Sequence, residues 1–441
     1  MLNVAVVTLG CDKNTVDSEK MKGYLLQSGY ELVSSVEDAD FVVINTCGFI
    51  QDAKEESLNT ILEYVKVKEK RGLKIIVTGC LAQRYSEVLA KEIPEVDAVL
   101  GINYTEELPE LLREISSGKK ILKSERKNEN ENDKLAKRVL ETPAHYAYLK
   151  IAEGCDNCCS YCSIPLIKGR YRSRKMEDIL QEAQYLVDNG VKELILIAQD
   201  VTYYGIDLYG ELKLPKLLKE LSKISSLKWI RLLYCYPANI TDELINVIAT
   251  ESKICNYIDI PLQHASLDIL KKMGRKQNPL EIKELIKNIR SRIPEITLRT
   301  TFIIGFPGET DKHFQELLAF IDDVKFDWAG FFRYSREEGT PAAMMKPLVS
   351  DEIVKERFNT IVSLQRSITK EKNAEQIAKV LPVVIEGKSD EFPDMYEARS
   401  YRNTPNVDGL IYVKGKNLAK GCWVHCKITG VQEYDLIGEV K

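Results

Sequence analysis

The sequence predicts an α/β protein of three units: an open, doubly wound parallel sheet, an incomplete parallel β/α barrel, and a small antiparallel β-barrel. Three observations predict it. Residues 1–120 alternate short apolar runs with helix-period segments, residues 143–372 repeat that alternation, and residues 373–441 carry short apolar runs separated by Gly, Pro, Asn and Asp. A chain of 441 residues suits two to four domains at roughly 100 to 200 residues each.

In the first unit the strand-like runs are 4–9, 41–45, 74–78 and 98–100, with helical stretches near 17–28, 52–70, 82–91 and 105–117. Asp17 and Ser18 read as the start of the first helix, and Gly29 as its stop. Residues 118–142 turn polar, with a charged run at 126–133, so 121–142 is expected to be a flexible linker or exposed loop. Six strands then follow near 147–152, 193–198, 228–234, 257–260, 297–304 and 328–334, as in a partial barrel with helices outside. A helix over 350–374 closes this region. The last strands are expected at 380–386, 409–413, 423–429 and 434–440.

The charge is nearly balanced, 62 Lys+Arg against 66 Asp+Glu. Apolar runs such as 41–44 and 194–198 fall far short of the ~20 residues that cross a bilayer. No basic segment precedes the first strand and no small-residue cleavage site follows it, so a cytoplasmic location is expected. In a reducing compartment eleven cysteines are metal ligands or buried thiols rather than disulfides. His145, His264, His313 and His425 are scattered, so any metal should be held by thiolates.

Cys11, Cys47 and Cys80 each sit just past the carboxyl end of an expected strand. In an open α/β sheet those ends share one edge, where three thiolates can converge on a metal group. The bland alternative is three buried small residues. The adjacent Gly10, Gly48 and Gly79 are expected to leave room for a bulky inorganic group.

A second set is local, running from Glu153 to Cys162 at the end of the first barrel strand. Cys155-x3-Cys159-x2-Cys162 offers three thiolates to an iron–sulfur cluster and leaves one iron open to a substrate. A register with Cys158 in place of Cys159 is not excluded by the residues. Zinc would need a fourth ligand that this loop lacks.

The spacing Cys-x3-Cys-x-aromatic-Cys on the first loop of a β/α barrel resembles the radical S-adenosylmethionine superfamily. The three-unit plan resembles its methylthiotransferase branch, whose C-terminal module is a TRAM domain. Leu9 through Glu19, Leu233-Tyr234-Cys235-Tyr236-Pro237, 260–266, 401–409 and Glu433-Tyr434-Asp435-Leu436 look like the members that modify an aspartate of a ribosomal protein. Cys235 departs from that pattern, where His is expected.

The resemblance implies two 4Fe-4S clusters, one on Cys11, Cys47 and Cys80 and one on Cys155, Cys159 and Cys162. It also implies S-adenosylmethionine as radical source and methyl donor. The barrel cluster would chelate and reductively cleave one such molecule to a 5′-deoxyadenosyl radical, which takes hydrogen from an unactivated carbon; acid–base side chains cannot do this. The N-terminal cluster would carry the sulfur. The implied substrate is an aspartate β-carbon in the twelfth protein of the small ribosomal subunit, with a flavodoxin or ferredoxin as electron donor and a separate sulfur source.

Tyr161 resembles the family aromatic beside the adenine, with loop packing as its alternative. Gln199 and Asp200 end a barrel strand at the mouth, where a cofactor role is as plausible as a structural one. Gly305, opening Gly305-Phe306-Pro307-Gly308-Glu309, is a cofactor candidate or a plain turn, and Arg299 is a candidate for a carboxylate. Arg170, Arg172 and Arg174 read as a solvated basic face. Cys158, Cys235, Cys255, Cys422 and Cys426 are expected to be structural, the last two sharing a strand face with Val424.

The main rival reading is the tRNA-modifying relative, and a non-enzymatic iron–sulfur carrier is a remote third. An RNA-binding module should be basic, whereas 373–441 holds nine Lys+Arg against ten Asp+Glu. That balance suits a basic protein partner, with Asp390, Glu391, Asp394, Glu397 and Asp408 as candidate contacts. Electron carriers normally ligate every iron, which two three-cysteine sites do not.

Overall fold

The computed structural model describes residues 2–126 and 137–441. Its N-terminal sheet comprises β1 (Asn3–Thr8), β2 (Glu31–Leu32), β3 (Phe41–Thr46), β4 (Lys74–Gly79), β5 (Ala98–Leu100) and β6 (Ile121–Lys123). The strands are parallel in the order β2-β1-β3-β4-β5-β6. Every residue of β3 is buried. Helices on both faces require such a continuous run: Val42 and Ile44 join one core, Phe41 and Val43 the other. β2 and β6 escape sequence pattern because strands of two and three residues carry almost no periodicity, and β6 occupies the start of the expected linker.

The first helix spans Asp12–Gln27 with Cys11 as its extended N-cap, so it begins well before the expected Asp17-Ser18 start. Those polar residues mislead because they are partners rather than caps. Ser18 accepts from Asn45 Nδ2 at 2.9 Å. The helix does end before Gly29, which takes φ 85°.

Residues 127–136, which include most of the charged run, lie outside the described residues. Beyond them the chain is not an exposed loop. Arg138 is buried, with its guanidinium between Glu19 and Glu182 and donating to the Tyr148 carbonyl at 2.8 Å. A lone Arg in a polar stretch looks solvated until its two acidic partners, remote in sequence, are brought to it.

The barrel begins with β7 (Tyr146–Lys150) and a small hairpin of β8 (Ala152–Glu153) with β9 (Arg172–Ser173). Then come β10 (Glu193–Ile197), β11 (Trp229–Leu232), β12 (Ile254–Gln263), β13 (Thr297–Ile304) and β14 (Trp328–Arg333). These form an open parallel sheet in the order β7-β10-β11-β12-β13-β14. Leu194, Leu196, Ile230 and Leu298 pack outward in the large core they share with the helices. Ile195, Ile197, Trp229 and Tyr257 form a separate cluster, completed by Val16 of the first helix and Val384 of the C-terminal unit. The other two units thus fill the side that six strands leave open.

After the helix Asp351–Ala374, β15 (Val380–Lys388), β16 (Met395–Arg399), β17 (Ile411–Lys414), β18 (Trp423–Gln432) and β19 (Asp435–Val440) close a barrel in the order β15-β16-β17-β19-β18. Its pairs are antiparallel except β17 with β19, which run parallel. β16, Met-Tyr-Glu-Ala-Arg, is too polar to be read as a strand from sequence. Cys426 is fully buried, with Cys422 and Val424 against the same core, as period two requires.

This barrel is locked to the central one. Arg399 Nη2 meets Glu193 Oε2 at 2.9 Å, and Arg231 Nε meets Glu193 Oε1 at 2.8 Å. Asp408, expected as an exposed contact for a basic partner, instead accepts from Tyr257 at 2.8 Å and lies 3.4 Å from Arg299 Nε with its side chain buried. The loop that carries it inserts into the central barrel, which its own sequence of small polar residues does not announce.

Candidate active site

Because β1, β3 and β4 are neighbours, their carboxyl ends stand side by side. Cys11 caps the first helix, Cys47 follows β3, and Cys80 opens the helix Cys80–Glu92. Asn14 ties these ends, its Nδ2 donating to Leu9 O at 2.8 Å and to Thr46 O at 3.1 Å. Gly10 (φ 91°) and Gly79 (φ 93°) do not leave space as expected. A Cβ on Gly10 would lie 2.6 Å from Cys47 Cβ, and one on Gly79 would lie 2.4 Å from Asn45 Oδ1. These glycines bring the turns together.

Burial pushes the Cys47 thiol up, and the Cys80 thiol up to about 12 against the opposing charge of Lys168. Cys11 is exposed. A desolvated thiol sheds its proton when a cation takes its place, so this donor set fits a thiolate-bound metal group. Helix N-termini at Cys11 and Cys80 favour the anionic sulfur further. Among the described residues no three His, Cys, Asp or Glu side chains are gathered for a single ion. A multi-iron group needs wider spacing.

The second set lies at the mouth of the central barrel. Cys155 N–H donates to Gly169 O at 3.1 Å, and Cys162 N–H to Cys159 O at 3.1 Å. Cys159 stands within electrostatic reach of both Cys155 and Cys162, whereas Cys158 is exposed and turns to Asp156 O at 3.6 Å. Burial pushes Cys155 up to about 12 and raises Cys162 as well. Arg275 Nη1 lies 3.7 Å from Cys159 Sγ. Asp200 is fully engaged: it accepts from Asn157 at 3.0 Å and from Thr202 N–H at 3.0 Å, and so steadies the cysteine loop.

Between the two sets lies a quartet of two buried lysines and two half-buried carboxylates. Lys168 meets Glu153 at 3.2 Å and Asp17 at 3.6 Å, while Lys150 pairs with Asp17 and with Glu153 at 2.7 Å. Burial alone would raise Glu153, but Lys150 and Lys168 outweigh it and hold the carboxyl far below its ordinary range. The four charges cancel, which leaves Lys168 close to Cys80 and Cys11 without a net buried charge.

The remaining candidates divide. Tyr161 packs against Met273, Phe306 and Ala342, near Cys159 and Arg275. Gln199 Nε2 reaches Glu153 at 3.4 Å, and its buried Oε1 has no hydrogen-bond partner. Arg299 is held by Asp259 at 2.9 Å and by Asp408. Gly305 N–H donates to Glu309, and a Cβ on Gly305 would lie 2.5 Å from Val354, so the turn packs on the closing helix. Arg174 is not solvated as expected, since it binds Lys150 O and Glu182, each at 2.7 Å. Arg170 is exposed.

Lys150, Lys168 and Arg275 escaped sequence reading. For the two lysines the signal is a charge closing an otherwise apolar segment, Tyr146–Lys150 and Ile164–Lys168, whereas Arg275 lies in a basic stretch that gives none.

A parallel half-barrel whose first loop presents Cys155, Cys159 and Cys162 defines a radical S-adenosylmethionine enzyme, and three comparisons agree. Family models match residues 3–101 (uncharacterized protein family UPF0004), 149–321 (Radical SAM superfamily) and 377–440 (TRAM domain). The chain is similar in fold to the radical S-adenosylmethionine methyltransferase TsrM of Kitasatospora setae, with TM-score 0.56 and 14% identity over 75% of this chain and 73% of that one. It is 49% identical over 440 residues to the ribosomal protein uS12 methylthiotransferase RimO of Thermoanaerobacter sp. (strain X514), covering 100% of both. It is 47% identical over 441 residues to that of Clostridium tetani, covering 100% of this chain and 98% of the other. The chain belongs to the RimO family of radical S-adenosylmethionine methylthiotransferases. Membership brings an iron–sulfur cluster and S-adenosylmethionine with it.

Proposed function

We propose that this enzyme methylthiolates the β-carbon of an aspartate in ribosomal protein uS12, in the cytoplasm. The observation that carries the reading is near-half identity over the whole chain to relatives named for uS12. We assign Cys155, Cys159 and Cys162 to the cluster that meets S-adenosylmethionine, and Cys11, Cys47 and Cys80 to a second 4Fe-4S cluster. When bound, these groups supply what side chains lack: one electron, a radical able to take hydrogen from carbon, and transferable sulfur and methyl.

The chain's own residues hold and bias these groups. Arg275 donates toward Cys159, and Lys168 balances thiolate charge at Cys80 and Cys11. Tyr161 and the open acceptor on Gln199 would help to hold the cofactor, while Arg299 and Gly305 would act at one remove by fixing Asp259 and the turn against Val354. Asp390, Glu391 and Asp394 are exposed and available to a basic ribosomal protein, where they would mainly set encounter rate. A flavodoxin or ferredoxin and a sulfur source complete the system. The test is to offer purified, reconstituted enzyme either uS12 or isopentenylated tRNA and follow methylthio incorporation by mass. Modification of tRNA with uS12 untouched overturns the assignment in favour of the tRNA-modifying activity.

A further inference from the structure

Tyr234, just after β11, takes φ 61°, a left-handed conformation that a bulky residue adopts only when its surroundings impose it. Two groups do so. Its N–H donates to Asp259 Oδ2 at 2.9 Å, and its phenol donates to Asp12 Oδ1 at 3.0 Å and Oδ2 at 3.2 Å. Lys13 Nζ stands 3.1 Å from the ring centre. The other oxygen of Asp259 accepts from Arg299 at 2.9 Å, and Arg299 in turn lies 3.4 Å from Asp408 of the C-terminal barrel. The phenol is therefore anchored from the barrel wall, and what it grips is the residue next to Cys11.

We propose that Tyr234 is a positioning residue for the N-terminal thiol site: its phenol fixes the turn that carries Cys11 and partly neutralises the Asp12 carboxylate beside that thiol. The proposal rests on the reading that Cys11, Cys47 and Cys80 hold an iron–sulfur cluster. Hydrogen bonds and nearby charge set the potential of such a cluster. Losing the phenolic donor leaves the full Asp12 charge facing the site and makes the cluster harder to reduce.

The test uses the full chain with Cys155, Cys159 and Cys162 replaced by Ala, so that only the N-terminal site can load. Iron is measured first, and a protein without iron overturns the ligand reading and this proposal with it. In the loaded protein, an electron-paramagnetic-resonance titration gives the midpoint potential of Tyr234→Phe with Asp12 present and with Asp12→Asn. Tyr234→Phe should shift the reduction equilibrium about threefold or more toward the oxidised cluster, Asp12→Asn should shift it the other way, and Tyr234→Phe should add nothing once Asp12 is Asn. An equal shift in both backgrounds, or none in either, overturns the proposal while leaving the ligand reading intact. If Tyr234→Phe lowers the melting temperature, Asp12→Asn decides alone, and an unchanged potential in that variant overturns the proposal.

Discussion

The two thiol sites reach similar surroundings by opposite routes. The barrel set is written in eight consecutive residues, Cys155 to Cys162, and needs only one loop held by Asp200 and Gly169. The N-terminal set spans 70 residues, Cys11 to Cys80, and exists only because β1, β3 and β4 are neighbours. Each is attended by one buried cation from outside its own motif, Arg275 for the first and Lys168 for the second. The ligands can be dispersed or local, but in both cases the balancing charge comes from packing.

The largest expected effect separates the sites outright. Anaerobically reconstituted protein should hold close to eight irons, about four per cluster. Replacing Cys155, Cys159 and Cys162 with Ala should remove about half the iron and abolish 5′-deoxyadenosine formation. Replacing Cys11, Cys47 and Cys80 should instead leave that cleavage measurable and stop methylthiolation. Retention of full iron in either variant, or equal loss of both activities in a protein whose circular dichroism is native, would break the division.

Truncation is the next test. The near-neutral charge of residues 373–441 suggests a detachable recruiting module, yet removing it strips Glu193 of Arg399, Arg231 of the Ser400 and Tyr401 carbonyls, and Arg299 of Asp408. Glu193 keeps Arg231 and Arg299 keeps Asp259, but each loses a buried partner, and the apolar cluster of Trp229 and Tyr257 loses Val384. The truncated chain should therefore lose barrel stability, seen as a collapse of the melting transition and of cofactor cleavage. Retained cleavage would mean that the C-terminal barrel acts only in substrate capture.

These interfaces mark where the sequence stopped being informative. The alternation of strand and helix, the strand-end positions of Cys11, Cys47 and Cys80, and the Cys155–Cys162 loop are local patterns, so they were legible. The burial of Arg138, Asp408 and Arg174 was not, because each reads as solvated until a partner far along the chain arrives. The first helix begins at Asp12 rather than at Asp17 for the same reason: Ser18 and Glu19 look like helix-start residues in isolation, but they serve the sheet and the barrel.

A smaller effect tests whether each cation belongs to its own site. Lys168→Met removes the charge that opposes the rise of the Cys80 thiol, and should weaken iron retention at the N-terminal site about 10- to 100-fold, the usual range for outer partners of a metal site. Arg275→Met should do the same at Cys159. Competition with a chelator, performed in each triple-Ala background, reads the two sites separately. Loss at the opposite site would show that the charges are shared across the mouth.

The smallest effect concerns what holds the sites face to face. Arg138 joins Glu19 on the first helix to Glu182 on the barrel, and Arg174 also reaches Glu182 at 2.7 Å. Burial alone would raise Glu182, but Arg174 and Arg138 outweigh it and hold the carboxyl down at about 2, against 4.5 for a free one. A depressed carboxyl stabilises the fold above the unfolded value and loses that contribution as pH falls toward the folded one. At roughly 1.4 kcal/mol per unit, the contribution is on the order of 3 kcal/mol at neutral pH. Glu182→Gln lacks it at every pH. The stability gap between native protein and this variant, measured by urea unfolding, should therefore be widest above pH 5 and shrink steadily from about pH 4.5 toward about pH 2. A gap that stays constant across that window would mean that the Glu182 charge does not hold the junction, and that neutral packing alone keeps the two thiol sites opposed.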